Sequence, residues 1–200
     1  MKKGFTLLEL LIVIGILAIL STTMIIVINP AEILRKARDS QRISDLSSLK
    51  TAIAFYLTNA PNPIIGSNTY SYSVITGTQC AGRTATSTTS QLVDSTGWIP
   101  IAFSGLTGGS PIGFLPIDPS PTALTPGTGR ARYYVYVTNV NDLTFEIVAN
   151  MESTYYSNGG DGDIETDDGG VAGLTKIYET GTKLGIVTAS SATCLAGDGT

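Results

Sequence analysis

The feature that most constrains this chain is the run Phe5–Ile28, in which Glu9 is the only ionisable side chain. As a helix, this run would be roughly 36 Å long, whereas the hydrocarbon core of a bilayer is about 30 Å thick. A helix in the core of a soluble protein normally keeps a polar face, and this run has almost none. The sequence therefore predicts a membrane-spanning helix.

The helix is predicted to continue beyond Pro30 with a different character. Asn29-Pro30 interrupts the run, and because proline lacks an N–H and clashes with the preceding turn, a kink or break is expected there. Apolar side chains then recur at spacings of three and four, which is the stripe of an amphipathic helix. They are Ile43, Leu46, Leu49, Ile53, Tyr56 and Leu57, and Arg42, Asp45, Ser48 and Lys50 lie opposite. We predict one long helix over about residues 5–58, ended by Asn59 and the prolines that follow.

The rest of the chain shows short strand patterns separated by loops rich in Thr, Ser, Gly and Pro. The strongest patterns are YYVYVT (133–138) and LTFEIVA (143–149), joined by a connection of hairpin length. Weaker candidates are YSYSVI (70–75), WIPIAF (98–103), TKIYET (175–180) and KLGIVT (183–188). WIPIAF reads as an edge strand because Pro100 cannot donate to a ladder. The predicted fold is α+β, with the long helix packed on an antiparallel sheet of three to five strands.

Charge and composition exclude several classes of function. Residues 1–50 hold seven Lys or Arg against four acids, and residues 51–200 hold five against twelve, so no nucleic acid is expected at the acidic head. Histidine, the commonest general base and metal ligand, is absent from the sequence. No catalytic constellation is evident, and we predict that the chain is not an enzyme.

The leader Met1–Gly4 differs from a secretory signal peptide. A secretory signal ends its apolar run with a small-residue cleavage site, and this run has none. A cut after Gly4 would remove only the basic start and leave the apolar helix as the mature N-terminus. Lys2 and Lys3 predict that the leader stays in the cytoplasm and that the C-terminal head lies outside it.

The stretch Gly4-Phe5-Thr6-Leu7-Leu8-Glu9-Leu10, with its basic leader, resembles the class III signal of type IV prepilins and of type II secretion pseudopilins. The resemblance implies cleavage between Gly4 and Phe5 by a prepilin peptidase and methylation of the new N-terminal Phe5. It further implies a single-pass inner-membrane protein that assembles into a homo-oligomeric filament at the cell surface or across the periplasm, with minor pilins and an assembly platform as partners. Leu115-Pro116-Ile117-Asp118-Pro119 resembles the turn "LPxDP" of major pseudopilins.

On this basis the chain divides into a leader (1–4), a transmembrane and assembly helix (5–28), its amphipathic continuation (29–58) and an extracytoplasmic β-rich head (59–200). The alternative is a membrane-anchored binding or adhesion module that does not polymerise. The pilus, secretion pseudopilus, competence and motility systems all remain open.

Glu9 is the residue that needs a physical explanation. A charged side chain inside a transmembrane helix costs about 2.5–3.5 kcal/mol even on lenient scales, and it indicates a function. After cleavage, the amine of Phe5 would lie four residues away, which is about 6 Å of helical rise. Glu9 could therefore pair weakly with its own amine, or with the amine of an axially shifted neighbouring subunit. The second arrangement would set the register of assembly.

Two further sites are predicted in the head. The acidic loop contains Asp161, Asp163, Glu165, Asp167 and Asp168, and dense carboxylate oxygens suit Ca²⁺. Major pseudopilins carry a calcium site in the corresponding loop, although a merely solvated loop is the alternative. Cys80 and Cys194 are the only cysteines and could form one disulfide outside the cytoplasm, or remain as two thiols. The structural function requires no cofactor.

Overall fold

The computed structural model describes residues 4–67, 70–73, 85–122, 132–165 and 177–187. The chain forms two compact units, residues 1–35 and residues 36–200.

The helical part contains two helices, α1 (Leu7–Ile28) and α2 (Pro30–Asn59), so the interruption expected at Pro30 is a break between two helices. Asn29 separates them in the left-handed conformation, with φ 44° and ψ 76°. Asparagine tolerates this conformation better than most residues, and Pro30 supplies no N–H to continue α1. The Asn29 carbonyl accepts the first bonds of α2, from the N–H of Glu32 at 3.0 Å and of Ile33 at 3.3 Å.

The head contains a five-stranded sheet. Its strands are β1 (Tyr70–Tyr72), β2 (Ala85–Ser87), β3 (Val135–Asn139), β4 (Thr144–Ala149) and β5 (Tyr178–Gly181). The spatial order is β2-β1-β3-β4-β5. The predicted antiparallel sheet is confirmed for four strands, whereas β2 pairs with β1 in parallel. The predicted hairpin is also confirmed, because β3 and β4 are adjacent and antiparallel.

One face of the sheet and the apolar stripe of α2 share the hydrophobic core. The helix contributes Leu46, Leu49, Ala52, Ile53 and Tyr56, the sheet contributes Tyr136, Phe145, Ile147 and Ala149, and Tyr134 joins them from the residue before β3. All of these side chains are buried. The predicted stripe is therefore confirmed from Leu46 onward, and it explains why α2 is stable against the sheet: most helical stability in proteins comes from packing of an apolar face.

The segment WIPIAF is not an edge strand. Ile99, Ile101 and Phe103 are buried in alternation with half-buried neighbours, but the segment joins none of the five strands: Ala102 forms an isolated antiparallel bridge with Asp94, and Phe103 begins a short 3₁₀ helix. Its backbone instead bonds to neighbouring loops, with the Trp98 N–H donating to the Ser90 carbonyl at 2.9 Å. The described part of KLGIVT, residues 183–187, is also irregular, so that strand prediction is wrong there.

Candidate functional site

The predicted processing site lies in exposed, non-helical chain immediately before α1. Gly4 and Phe5 precede the helix, and Phe5 is 84% exposed. Thr6 is the N-cap residue of α1, with extended backbone angles. An exposed, extended peptide bond is the form that proteases cleave most readily. Cleavage between Gly4 and Phe5 stays a prediction.

Glu9 occupies the third position of α1 and forms a capping box with Thr6. Its carboxylate accepts the Thr6 backbone N–H at 2.9 Å and the Thr6 hydroxyl at 2.8 Å. In return, the Glu9 N–H donates to the Thr6 hydroxyl oxygen at 3.2 Å. The carboxylate is thus held at the N-terminal end of α1, one turn from Phe5 and near the positive end of the helix dipole.

The rest of α1 presents apolar side chains on every side. Leu7–Met24 has a mean hydropathy of 2.4 and none of it is buried, so this helix is long and apolar enough to cross a membrane. Ser21, Thr22 and Thr23 are its polar exceptions, and each hydroxyl donates to a carbonyl of the preceding turn at 2.7–2.9 Å. Their hydrogen-bonding capacity is therefore met within the helix, as a bilayer interior demands.

A buried ionic cluster in the head was missed at the level of the sequence. The amphipathic pattern placed Arg42 on the solvent face of α2, and this prediction is wrong because Arg42 is fully buried. Its guanidinium makes two parallel bonds to Asp118, Nε to Oδ2 at 2.7 Å and Nη2 to Oδ1 at 2.8 Å. A third bond runs from Nη1 to Asp39 Oδ1 at 2.6 Å. This bidentate geometry is the strong form of an arginine–carboxylate pair.

Glu152 extends the cluster to the end of β4. Arg38 donates to its carboxylate at 2.8 and 2.7 Å, and Arg42 and Arg132 lie 3.4 and 3.6 Å away. The Arg38 hydrogen bonds lower the pKa of Glu152 to about 2, and the charges of the three arginines add to this effect against the opposing effect of burial. Burial alone would lower the pKa of Arg42, but Asp118 and Asp39 raise it above its usual value. Glu152 and Arg42 therefore stay charged over the physiological range.

The carboxylates of the cluster also organise backbone. Asp39 accepts the N–H groups of Glu152 and Ser153, at 2.7–3.1 Å. Asp118 accepts the Ser120 N–H at 2.8 Å, which confirms the expected turn at this aspartate. The cluster thus connects α2 to the LPIDP turn and to the residues after β4.

The acidic loop is described only in part. Asp163 accepts the N–H groups of Gly159 and Glu165, and the buried Glu165 accepts those of Met151 and Asn158, at 2.7–2.9 Å. Asp161 is exposed. These carboxylates shape the loop, and the described residues contain no group of three acids able to hold a metal. Asp167 and Asp168 lie outside the described residues, so the calcium site stays a prediction.

The predicted disulfide also stays a prediction. Cys80 and Cys194 both lie outside the described residues.

Comparison with known families supports the reading of the N-terminus. Residues 1–25 match the prokaryotic N-terminal methylation motif. No curated protein and no solved structure matches the chain significantly. The motif covers the leader, Phe5, Glu9 and most of α1, and the proteins that carry it are structural rather than enzymatic. The chain thus carries the class III prepilin signal of type IV pilins and pseudopilins. Its apolar α1 and its α+β layout are pilin-like as well.

Proposed function

We propose that this chain is a structural subunit of a type IV pilus-like filament or of a type II secretion pseudopilus. It is cleaved after Gly4, methylated at Phe5, and polymerises through α1. The observation that carries the proposal is the methylation motif on a helix whose apolar side chains are exposed over Leu7–Met24. Such a surface needs lipid before assembly and other helices after it, because large exposed apolar surfaces are unstable in water.

Glu9 supplies the register of assembly in this proposal. Cleavage creates an amine at Phe5, and the capping box holds the Glu9 carboxylate at the same end of the helix. A neighbouring subunit shifted along the helix axis by about one turn, roughly 5.4 Å, brings its amine to this carboxylate. A charge pair in a low-dielectric setting favours one arrangement over others even where its net stabilisation is small. Subunits at any other offset leave the Phe5 amine and the Glu9 carboxylate without this charge pair between subunits.

The proposed location and partners follow from the same segment. Before assembly, the chain is a single-pass protein of the inner membrane with its head outside the cytoplasm. The basic leader, kept in the cytoplasm, supports this orientation. A prepilin peptidase, further copies of the chain, minor pilins and an assembly platform are its partners. The acidic head disfavours direct contact with nucleic acid, because phosphate binding relies on basic surfaces.

The N-terminus of the protein extracted from native membranes tests processing. Mass spectrometry of the N-terminal peptide is expected to show N-methylated Phe5 as the first residue. An intact Met1, or a cut beyond residue 20, would contradict the proposal. A Gly4→Leu variant is the control, since a bulky side chain before the cleaved bond is expected to leave the leader attached.

Glu9→Ala tests assembly and separates the proposal from a membrane-anchored module that never polymerises. We expect normal membrane insertion of the variant but at least a tenfold loss of filaments, counted by electron microscopy and by shear release of the chain. Glu32→Ala, at the start of α2 and outside the apolar run, is the matched control and is expected to assemble. Normal filaments from Glu9→Ala would refute the register mechanism, and absence of filaments from the wild type in its native host would favour the anchored module.

A further inference from the structure

The dipeptide Asn158-Gly159 lies in a tight turn of the loop that follows β4, and it is the only Asn-Gly pair in the sequence. The N–H of Gly160 donates to the Ser157 carbonyl at 2.9 Å, and Gly159 has a φ of 81°. A positive φ at the third position is typical of a type II turn and favours glycine there. Asn158 is exposed, so water reaches this turn.

The Asn-Gly pair can react within itself. The backbone nitrogen of Gly159 can attack the side-chain carbonyl carbon of Asn158, because the product is a five-membered ring. Asparagine is thermolabile in proteins, and two reacting groups joined by so few bonds have a high effective concentration. A Cβ built on Gly159 would meet no atom within 4 Å, so the space beside this residue is open.

A carboxylate already holds the proton that this reaction must remove. The Gly159 N–H donates to Oδ2 of Asp163 at 2.7 Å, inside the range of about 2.6–3.2 Å that a general base needs. Oδ1 of Asp163 accepts the Glu165 N–H at 2.9 Å, so both oxygens act as acceptors, as in an ionised carboxylate. A carboxylate offers about four acceptor positions, so the bond to Gly159 is compatible with the further partners of Asp163.

Short local contacts keep the Asp163 carboxylate beside the Gly159 N–H. The N–H of Gly162 donates to the Tyr155 carbonyl at 3.0 Å, and the N–H of Asp163 donates to the Gly160 carbonyl at 3.2 Å. A Cβ on Gly162 would collide with the Tyr155 ring, so the backbone lies directly against this ring. The base is therefore positioned by the fold of the loop itself.

Other charged side chains near the turn include Glu165, Asp161 and Lys36 of α2. Glu165 accepts the Asn158 N–H through Oε2 at 2.9 Å, and Asp161 is exposed. Lys36 lies 4.2 Å from the centroid of the Tyr155 ring. Asp163 differs from these groups because its carboxylate is bonded to the N–H that must lose its proton.

We propose that Asn158 is a site of spontaneous deamidation at which Asp163 acts as the general base. Asp163 takes the proton of the Gly159 N–H, the nitrogen bonds to Cγ of Asn158, and the Cγ–Nδ2 bond breaks. The leaving nitrogen takes up this proton and departs as ammonia, which leaves a cyclic imide. Water then opens the imide at either carbonyl and gives an aspartyl or an isoaspartyl residue at position 158. The reaction is a property of the head and does not depend on filament assembly.

Either product changes the acidic loop. The new carboxylate adds a negative charge close to Asp163 and Glu165, and like charges at short distance repel. The isoaspartyl product also inserts a methylene group into the backbone, which lengthens the turn closed by the bond between Gly160 and Ser157. Deamidation therefore loosens the loop as the protein ages.

The pH dependence separates this mechanism from deamidation driven by hydroxide. In an unfolded chain, hydroxide removes the proton, so the rate should rise about tenfold per pH unit, in proportion to the hydroxide concentration. A carboxylate base that is already ionised gains nothing from added hydroxide. The rate in the folded head should therefore be nearly independent of pH around neutrality.

Ageing of the full-length chain in mild detergent tests the proposal. Mass spectrometry of the peptide that contains position 158 measures the aspartyl and isoaspartyl products over time at pH 6, 7 and 8. The same chain unfolded in urea is the reference without loop geometry. The variants are Asp163→Asn, which removes the base, and Asn158→Gln, whose ring would be one atom larger. Asp161→Asn, an exposed acid of the same loop, is the matched control.

We expect the rate in the folded wild type and in Asp161→Asn to change by less than about threefold from pH 6 to pH 8, against about a hundredfold in urea. Asp163→Asn should be slower than wild type at pH 6 by roughly a hundredfold, the lower end of what a general base contributes, and should regain the slope. Asn158→Gln should give no product at this position.

The comparison of folded with unfolded wild type decides the question if Asp163→Asn changes the loop. A rate in the folded wild type that rises with pH as steeply as in urea would overturn the proposal. So would the absence of product in the folded wild type while the unfolded chain reacts, or an Asp163→Asn variant whose loop is intact and that reacts as fast as wild type.

Discussion

Replacement of Arg42 by methionine is the sharpest test of the buried cluster in the head. The substitution keeps the length and apolar stem of the side chain but removes its charge and five donors. It leaves the buried carboxylates of Asp39 and Asp118 without the cation between them. Each of these carboxylates keeps backbone bonds, from Ser153 to Asp39 and from Ser120 to Asp118, so the loss is restricted to the ion pairs.

The size of the stability loss expected for Arg42→Met follows from the burial of all three charged groups. Arg42, Asp39 and Asp118 are 0–2% exposed, so water cannot replace the lost partner. Removal of one partner from a buried ion pair typically costs about 3–5 kcal/mol. For a head of this size, each kcal/mol lowers the Tm by about 2–4 °C, so we expect the Tm to fall by roughly 6–20 °C.

Trp98 provides the assay. It is the only tryptophan of the chain, it is buried, and its indole N–H donates to the Pro116 carbonyl at 2.9 Å, beside the LPIDP turn. Thermal unfolding of the full-length chain in mild detergent can therefore be followed by fluorescence at the turn that holds Asp118. Lys50→Met, an exposed change of the same charge on the same helix, should stay within about 0.5 kcal/mol of wild type. If Arg42→Met were equally mild, the ion pairs would not be stabilising the head.

Two further predictions concern acid and calcium. Arg38 lowers the pKa of Glu152 from its ordinary value near 4.5 to about 2, so the stability due to this group is present above pH 4.5 and is lost as pH falls toward 2. The Tm difference between wild type and Glu152→Gln should therefore shrink between pH 5 and pH 2.5, and a constant difference would contradict this reasoning. If the acidic loop binds Ca²⁺, millimolar Ca²⁺ should raise the Tm of the wild type but not of Asp167→Asn/Asp168→Asn, with Mg²⁺ as the control ion. Equal shifts in both proteins would exclude these two residues as ligands.

The features that the sequence predicts well are local. The apolar run and the class III signal depend on composition and short spacing, and they lead directly to α1 and its N-terminus. The packed stripe of α2 follows from a period of 3.6 residues. The interruption at Asn29-Pro30 is local as well, because proline cannot continue α1 and asparagine is enriched in the left-handed conformation that Asn29 adopts. The parallel pairing of β2 depends on a strand partner that no local pattern specifies.

The ionic cluster illustrates why site residues in the head escaped prediction. Arg42 lies four residues before Leu46 and seven before Leu49, so its position belongs to the buried stripe. Its charge instead favoured the solvent face of α2, because arginine is almost never fully buried unless it is paired. The partner Asp118 is 76 residues away, and no spacing rule connects the two. The available signal was a charged residue at an apolar position, which indicates a buried partner elsewhere in the chain.

A double variant distinguishes whether this cluster stabilises the head or specifies its fold. Replacement of a buried ion pair by apolar side chains is often neutral or stabilising, whereas removal of one partner is costly. Arg42→Met combined with Asp118→Leu removes the bidentate pair, while Asp39 keeps its bonds to the N–H groups of Glu152 and Ser153. We expect the double variant to recover at least half of the Tm lost in Arg42→Met. If the Tm recovers and the amide NMR spectrum is unchanged, apolar side chains can replace the ion pair. If the Tm recovers but the spectrum is broadened, the ion pair selects one packing of α2 against the LPIDP turn. No recovery would refute the view that unpaired charge is the cost of Arg42→Met.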